Sequence, residues 1–168
     1  MFIGFFKSTL SKGAVGEDVF VYSKILWNEL SKRSDYEVEK IESVWGFLSD
    51  EQTEDLLFLY LQYNGWFVIP NSRKKDTMAY EYYCINRLTF EKAIVQVKTG
   101  FSPIDFNAYH KYTEKVFLLQ PNNCFQGEPL SNMEMVSIEA LESFAKNNEK
   151  IIPQNIMTWF KLVNTQKI

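Results

Sequence analysis

Residues 92–100 read Lys92-Ala93-Ile94-Val95-Gln96-Val97-Lys98-Thr99-Gly100. Successive side chains of a strand point to opposite faces, so Val95 and Val97 take one side while Gln96 and Lys98 share the other. Two polar groups thus sit together at the end of an otherwise apolar strand, which Thr99-Gly100 closes. Upstream, Met78–Asn86 (Met-Ala-Tyr-Glu-Tyr-Tyr-Cys-Ile-Asn) reads as a second strand. Glu81 is its one carboxylate, set among Tyr80, Tyr82, Tyr83 and Ile85. If the two strands pair as a hairpin, Glu81 approaches Gln96.

Further upstream, Trp66-Phe67-Val68-Ile69-Pro70 forms a short strand closed by a turn-rich Pro70-Asn71-Ser72. Before it, Ser49-Asp50-Glu51-Gln52 has the form of a capping box, with acids suited to the positive end of a helix. The helix runs from about Asp50 to Tyr63 and stops at Asn64-Gly65, and its apolar run Leu56 to Leu61 marks it for burial against a sheet. Glu54 lies three and seven residues before Leu57 and Leu61, on the same stripe.

Downstream of Gly100, Ser102-Pro103-Ile104-Asp105 has a cap followed by proline, so a short helix to about Tyr112 is expected before a strand at Lys115–Leu119. Met133–Val136 makes a further strand, Ser137 caps a helix to about Asn147, and Pro153 opens a last helix to about Val163. Near the start, apolar residues spaced by three to five between Ala14 and Leu30 predict an amphipathic helix, followed by a charged connection at Lys32–Lys40. Helix, three strands, helix, strand and helix specify an α/β fold, a three-layer α/β/α sandwich around a mixed sheet of four or five strands.

The chain has 168 residues, the length of one domain, and no repeat or Pro/Gly-rich linker divides it. Its parts are an N-terminal helical extension (1–45), a core (49–120) and a C-terminal strand with helices (121–168). Hydrophobic residues at 46 % and aromatics at 16 % exclude disorder for most of the length. With Lys+Arg 18 against Asp+Glu 21 the net charge is −3, so no global field draws the chain to nucleic acid, and any such binding rests on a local patch. Between Asn71 and Lys98 six cations stand against three acids, a net +3 that leaves about −6 for the remainder. The basic run Arg73-Lys74-Lys75 sits beside the candidate acids.

Two cysteines, Cys84 and Cys124, and one histidine, His110, make neither a disulfide framework nor a zinc site, which suits a reducing compartment. The apolar start Met1–Phe6 ends at Lys7, too short for a signal-peptide core, and no run reaches the length that spans a bilayer. A cytoplasmic protein with no membrane segment is expected.

The helix bearing Glu54, Gly65-Trp66 entering a strand, Asp76 and Glu81 around the next, and Gln96-Val97-Lys98 closing the third are similar in order and spacing to the PD-(D/E)XK nuclease superfamily. The likeness covers about Gln52 to Gln120 and is to the variant, as in the Mrr-like group, where Gln replaces the second acid. It implies a restriction-endonuclease-like core and Mg²⁺-dependent phosphodiester hydrolysis, with Mn²⁺ as a substitute and DNA ahead of RNA as substrate. On that pattern Glu81, or alternatively Asp76, is the first acid, Gln96 the second ligand, Lys98 the residue that activates water, and Glu54 the helix acid of some members. Arg73, Lys74 and Lys75 are the expected nucleic-acid contacts. The types suit the chemistry, since Mg²⁺ takes oxygen ligands and retained waters, and a cation belongs near the nucleophile or the developing charge. A neutral Gln ligand removes one negative charge and weakens metal affinity.

Each signal has a plainer counterpart. Gln96 and Lys98 fit a strand end meeting solvent, Glu54 fits an acid favoured by the helix dipole, and Arg73–Lys75 fits a solvated hairpin tip. Tyr80, Tyr82, Tyr83 and Phe117 fit the core, with base stacking the alternative for those at the rim. His110 pairs with no nucleophile. With no helix-turn-helix or zinc module visible, a nuclease of this size is expected to act as a homodimer or within a larger defence-type complex. The alternative is a catalytically inactive nuclease-fold binding protein, such as an immunity protein or antitoxin, whose acidic surface covers a basic protein toxin.

Overall fold

The structure, a computed structural model, describes residues 43–70 and 80–165. The amphipathic segment at Ala14–Leu30, the charged connection at Lys32–Lys40, Arg73, Lys74, Lys75 and Asp76 lie outside the described residues. Among the described residues three α-helices, α1 (Asp50–Tyr63), α2 (Ile138–Asn147) and α3 (Gln154–Thr165), accompany seven strands. These are β1 (Trp66–Pro70), β2 (Tyr82–Asn86), β3 (Lys92–Val97), β4 (Ile104–Asp105), β5 (Lys115–Leu119), β6 (Phe125–Gln126) and β7 (Met133–Met135).

The main sheet is mixed and five-stranded, in the order β1-β2-β3-β5-β7. The hairpin strands β1, β2 and β3 pair antiparallel, and β5 and β7 then add parallel to β3. The central strand β3 is buried on both faces after its first residue. Ala93, Val95 and Val97 join Trp66, Val68, Tyr82, Cys84, Phe117 and Leu119 beneath all three helices. Ile94 joins Val116, Leu118 and Met133 on the other face, covered by Ile104, Phe106 and Tyr109.

Local chemistry sets the boundaries. Ser49 Oγ accepts from Gln52 N (3.2 Å) and Gln52 Oε1 accepts from Ser49 N (2.9 Å), the reciprocal box that satisfies two otherwise unpaired helix-end donors. Gly65 ends α1 at φ +88°, a left-handed geometry that glycine adopts without a Cβ penalty. Its carbonyl then receives Arg87 N (2.8 Å), tying the helix exit to the end of β2.

The helix expected over Ser102–Tyr112 does not form. Ile104–Asp105 is instead a strand paired with Phe125–Gln126, followed by a 3-10 turn at Phe106–Tyr109. Ile104 N donates to Cys124 O (2.9 Å), and Asp105 rather than Ser102 is the cap, its carboxylate accepting from Asn107 N (3.0 Å). The stacked rings of Phe106 and Phe125, 5.3 Å apart, seal this small ribbon against the sheet. Among the described residues all three α-helices therefore lie on one face, and the opposite face carries the ribbon and the 3-10 turn. No helix among them is long and apolar enough to cross a membrane.

Replacing Ser49 by Ala deletes one half of the capping box and is expected to lower stability by about 1 kcal/mol. Urea denaturation should show a lower midpoint with an unchanged slope.

Candidate functional site

The hairpin register decides which polar groups meet. Tyr82 stands opposite Val95, so Glu81, one residue ahead of β2, falls opposite Gln96. Glu81 sits in a bend before the strand rather than within it, yet its N–H still donates to Val95 O (2.8 Å), which holds it in line. Gln96 Nε2 donates to Glu81 Oε1 (3.3 Å) and to Val97 O (2.8 Å). Both neighbours are acceptors, so this end of the amide must be the nitrogen.

Gln96 is only 3 % exposed. Its Oε1 accepts no hydrogen bond from the described residues, although a buried amide oxygen is normally paired. Lys98 follows on the same face by alternation. Its backbone N–H donates to Leu119 O (3.0 Å), and its exposed ammonium forms no ion pair among the described residues. The lysine is fixed at its root by the parallel β3–β5 pairing and open at its tip.

Glu54 occupies the helix-bearing side of the same sheet end. Tyr82 Oη donates to its Oε2 across a long 3.5 Å. Partial burial, then the nearby charge of Glu81, raises the Glu54 carboxyl to about 7. Burial and the neighbouring Glu54 push the Tyr82 phenol up in turn. One turn earlier on α1, Asp50 accepts a hydrogen bond from the Thr99 hydroxyl, so the start of the helix is pinned to the residue after Lys98.

The sheet end thus joins Glu81 to Gln96 directly, roots Lys98 by its backbone just past the end of β3, and holds Glu54 within range of Glu81's charge but bonded to Tyr82. No group of three or more His, Cys, Asp or Glu able to hold a metal gathers among the described residues. What does gather is one carboxylate and one amide whose oxygen accepts no hydrogen bond among the described residues. That is too little for zinc, but it fits Mg²⁺, which commonly takes one or two carboxylates and keeps several waters.

The residues read as candidate base-stacking groups turn inward. Phe117 and Tyr82 are buried under the helices, while Tyr80 and Tyr83 pack partly buried against the second core. The aromatic that does face solvent at this end is Phe101, 84 % exposed on the loop after Lys98. Sequence reasoning missed it because it belongs to no periodic element. Its position directly after Gly100, where the chain leaves the strand, was the available signal. Gln120 was likewise missed. It is 2 % exposed, and its Nε2 donates to Gly100 O (3.0 Å) and Ser102 O (2.9 Å), while its Oε1 accepts from Asn122 N (2.6 Å) and Cys124 N (3.3 Å).

The raised Glu54 carboxyl makes stability depend on pH. Between the ordinary carboxylate value of 4.5 and about 7 the folded chain binds more protons than the unfolded one, so stability falls as pH rises through that window. Replacing Glu54 by Gln should flatten the profile and gain about 1 kcal/mol over wild type above pH 7, allowing for solvent screening of a half-buried group. Urea midpoints measured from pH 4.5 to 8 check this. The grounds for a function are those of the site itself, since the chain matches no family model and no curated protein or solved structure is significantly similar to it.

Proposed function

We propose that the chain is a metal-dependent phosphodiesterase acting on nucleic acid, DNA ahead of RNA, built on a restriction-endonuclease-like core. The observation that carries this reading is the meeting of Glu81 with Gln96 at 3.3 Å, two residues before the exposed Lys98, which forms no ion pair among the described residues. It is supported by a helix, an antiparallel three-stranded meander and a fourth main-sheet strand added parallel to the third, as the sequence reading expects, although a short strand and a 3-10 turn stand where it places a crossover helix.

The Glu81 carboxylate and the Gln96 Oε1 would hold Mg²⁺, or Mn²⁺ in its place. When bound, the ion supplies Lewis-acid stabilisation of the phosphoryl oxygens. The chain's own part is electrostatic and positional. Lys98 places a compact positive charge, with three donors, where a scissile phosphate and an attacking water are to be oriented. Its root cannot drift, because the backbone is held by Leu119 on one side and the Thr99–Asp50 contact on the other. Partial burial and the charge of Glu81 raise the Glu54 carboxyl, which lessens the negative charge at this end of the sheet. Gripping a duplex calls for a homodimer or a larger defence-type assembly.

One observation favours a second reading. The donor end of Gln96 already closes on Glu81 and the Val97 carbonyl, as in a polar lock that needs no ion. In that case the chain is an inactive nuclease-fold binding protein, such as an immunity protein or antitoxin set against a basic toxin.

Mg²⁺ and Mn²⁺ titrations over plasmid, linear and single-stranded DNA and RNA separate the two. Cleavage that needs metal and falls at least about a hundredfold in both Lys98→Ala and Glu81→Ala is the expected result. Absence of cleavage of every substrate, with no metal binding by calorimetry, favours the binding protein. A second prediction concerns Gln96→Glu, which sets two carboxylates together in a buried site. Its metal-free melting temperature should drop, and millimolar Mg²⁺ should restore it by more than it shifts the wild type.

A further inference from the structure

Phe101 presents an apolar ring to water at 84 % exposure, on the segment that begins at Lys98. Exposed single apolar residues are ordinary on mobile loops, but the peptide units flanking this ring are fixed. The carbonyl before it, Gly100 O, accepts from Gln120 Nε2 and from Asn122 Nδ2 (2.5 Å), and the carbonyl after it, Ser102 O, accepts from the same Gln120 nitrogen. Ser102 N–H closes back on Thr99 O (3.3 Å), and Gly100 takes a left-handed φ of +57° that turns the chain. The clamp is a buried side chain with all its hydrogen-bonding capacity spent on the two loops that leave β3 and β5. Those are the carboxyl ends of adjacent parallel strands, the customary place for a ligand in an open α/β sheet.

An aromatic whose flanking backbone is already held loses less entropy when it is covered than one on a free loop, which is the property of a recognition anchor. A cation three residues away at the same strand end adds the complement for a phosphate. Resting on the phosphodiesterase reading, we infer that Phe101 is a stacking platform for an unpaired nucleobase and that the substrate is single-stranded, or locally opened, nucleic acid. Every base offers a flat face and duplex bases are already stacked, so such a platform selects strandedness rather than sequence. The other exposed aromatic on a β-connection, Phe90 at 76 %, sits on the β2–β3 turn at the far end of the hairpin and takes no part.

Fluorescence anisotropy with the full chain tests this without turnover, using labelled oligo(dT), a matching duplex and an abasic strand of equal length, each in EDTA and in Ca²⁺. The expected result is tightest binding of oligo(dT), weakened about tenfold by Phe101→Ala, retained by Phe101→Trp and untouched by Phe90→Ala. The abasic strand should bind wild type as weakly as Phe101→Ala binds oligo(dT). Equal affinity of wild type and Phe101→Ala for oligo(dT), or an equal loss in Phe90→Ala, overturns the platform. The phosphodiesterase reading is judged separately by metal-dependent cleavage. If no oligonucleotide binds in either buffer the platform is wrong, while cleavage that survives unchanged in Phe101→Ala leaves the activity standing without it.

Discussion

A strand buried on both faces has no place for a polar side chain unless a partner is built in, and β3 is such a strand. Its odd-numbered residues from Ala93 to Val97 belong to the core beneath the helices, and Ile94 belongs to the core on the other side. Gln96 breaks the pattern at 3 % exposure. Removing an amide from water without a partner costs about 1–3 kcal/mol, so the surrounding structure is obliged to answer it. Glu81 answers it from the bend just before β2, and the Val97 carbonyl from β3 itself. The position of Glu81 follows from the hairpin register, and the start of α1 follows through Thr99 and Asp50. The polar end of the sheet is therefore one connected arrangement rather than a scatter of surface groups.

The sequence disclosed what is local. The Ser49 and Gln52 box, the Gly65 stop and the alternation in β3 each depend on residues within a few positions of one another, and each is found as read. The Glu81–Gln96 meeting was also accessible, because a hairpin turns sequence distance into a simple register. Nonlocal terms were not accessible. Ser102-Pro103 carries a good helix start, but Ile104 gains more by pairing with Phe125, twenty-one residues on, and no local pattern announces that partner. The Tyr82–Glu54 contact and the Gln120 clasp are hidden for the same reason. Each joins elements whose proximity exists only after the sheet has formed.

The two sides of the sheet are finished differently. Beneath the helices the core is continuous from Trp45, whose indole donates to Glu142 (3.0 Å), through α1 to Trp159 and Phe160 of α3. Above it the second core is smaller and roofed by short pieces, held by Asp105, Asn107 and the stacked Phe106 and Phe125. Gly127 lets that roof sit close: at φ +80°, a Cβ there would come within 2.9 Å of the Asn107 amide. The candidate site lies where the two finishes meet, its helix side braced by a large core and its open side by a light one.

The order of pairing also sets an order of assembly. α1 and the β1–β2–β3 meander follow one another in sequence, and the strands of the meander pair as antiparallel neighbours, whereas β5 must find β3 across a crossover with no α-helix to carry it. Loop closure of that kind is slow, because the entropy is lost before the contacts are gained. Refolding is thus expected to be limited by docking of β5 and β7 onto a preformed meander. Until that step completes, β3 presents an unpaired apolar edge, and this is the moment at which the chain is most exposed to self-association.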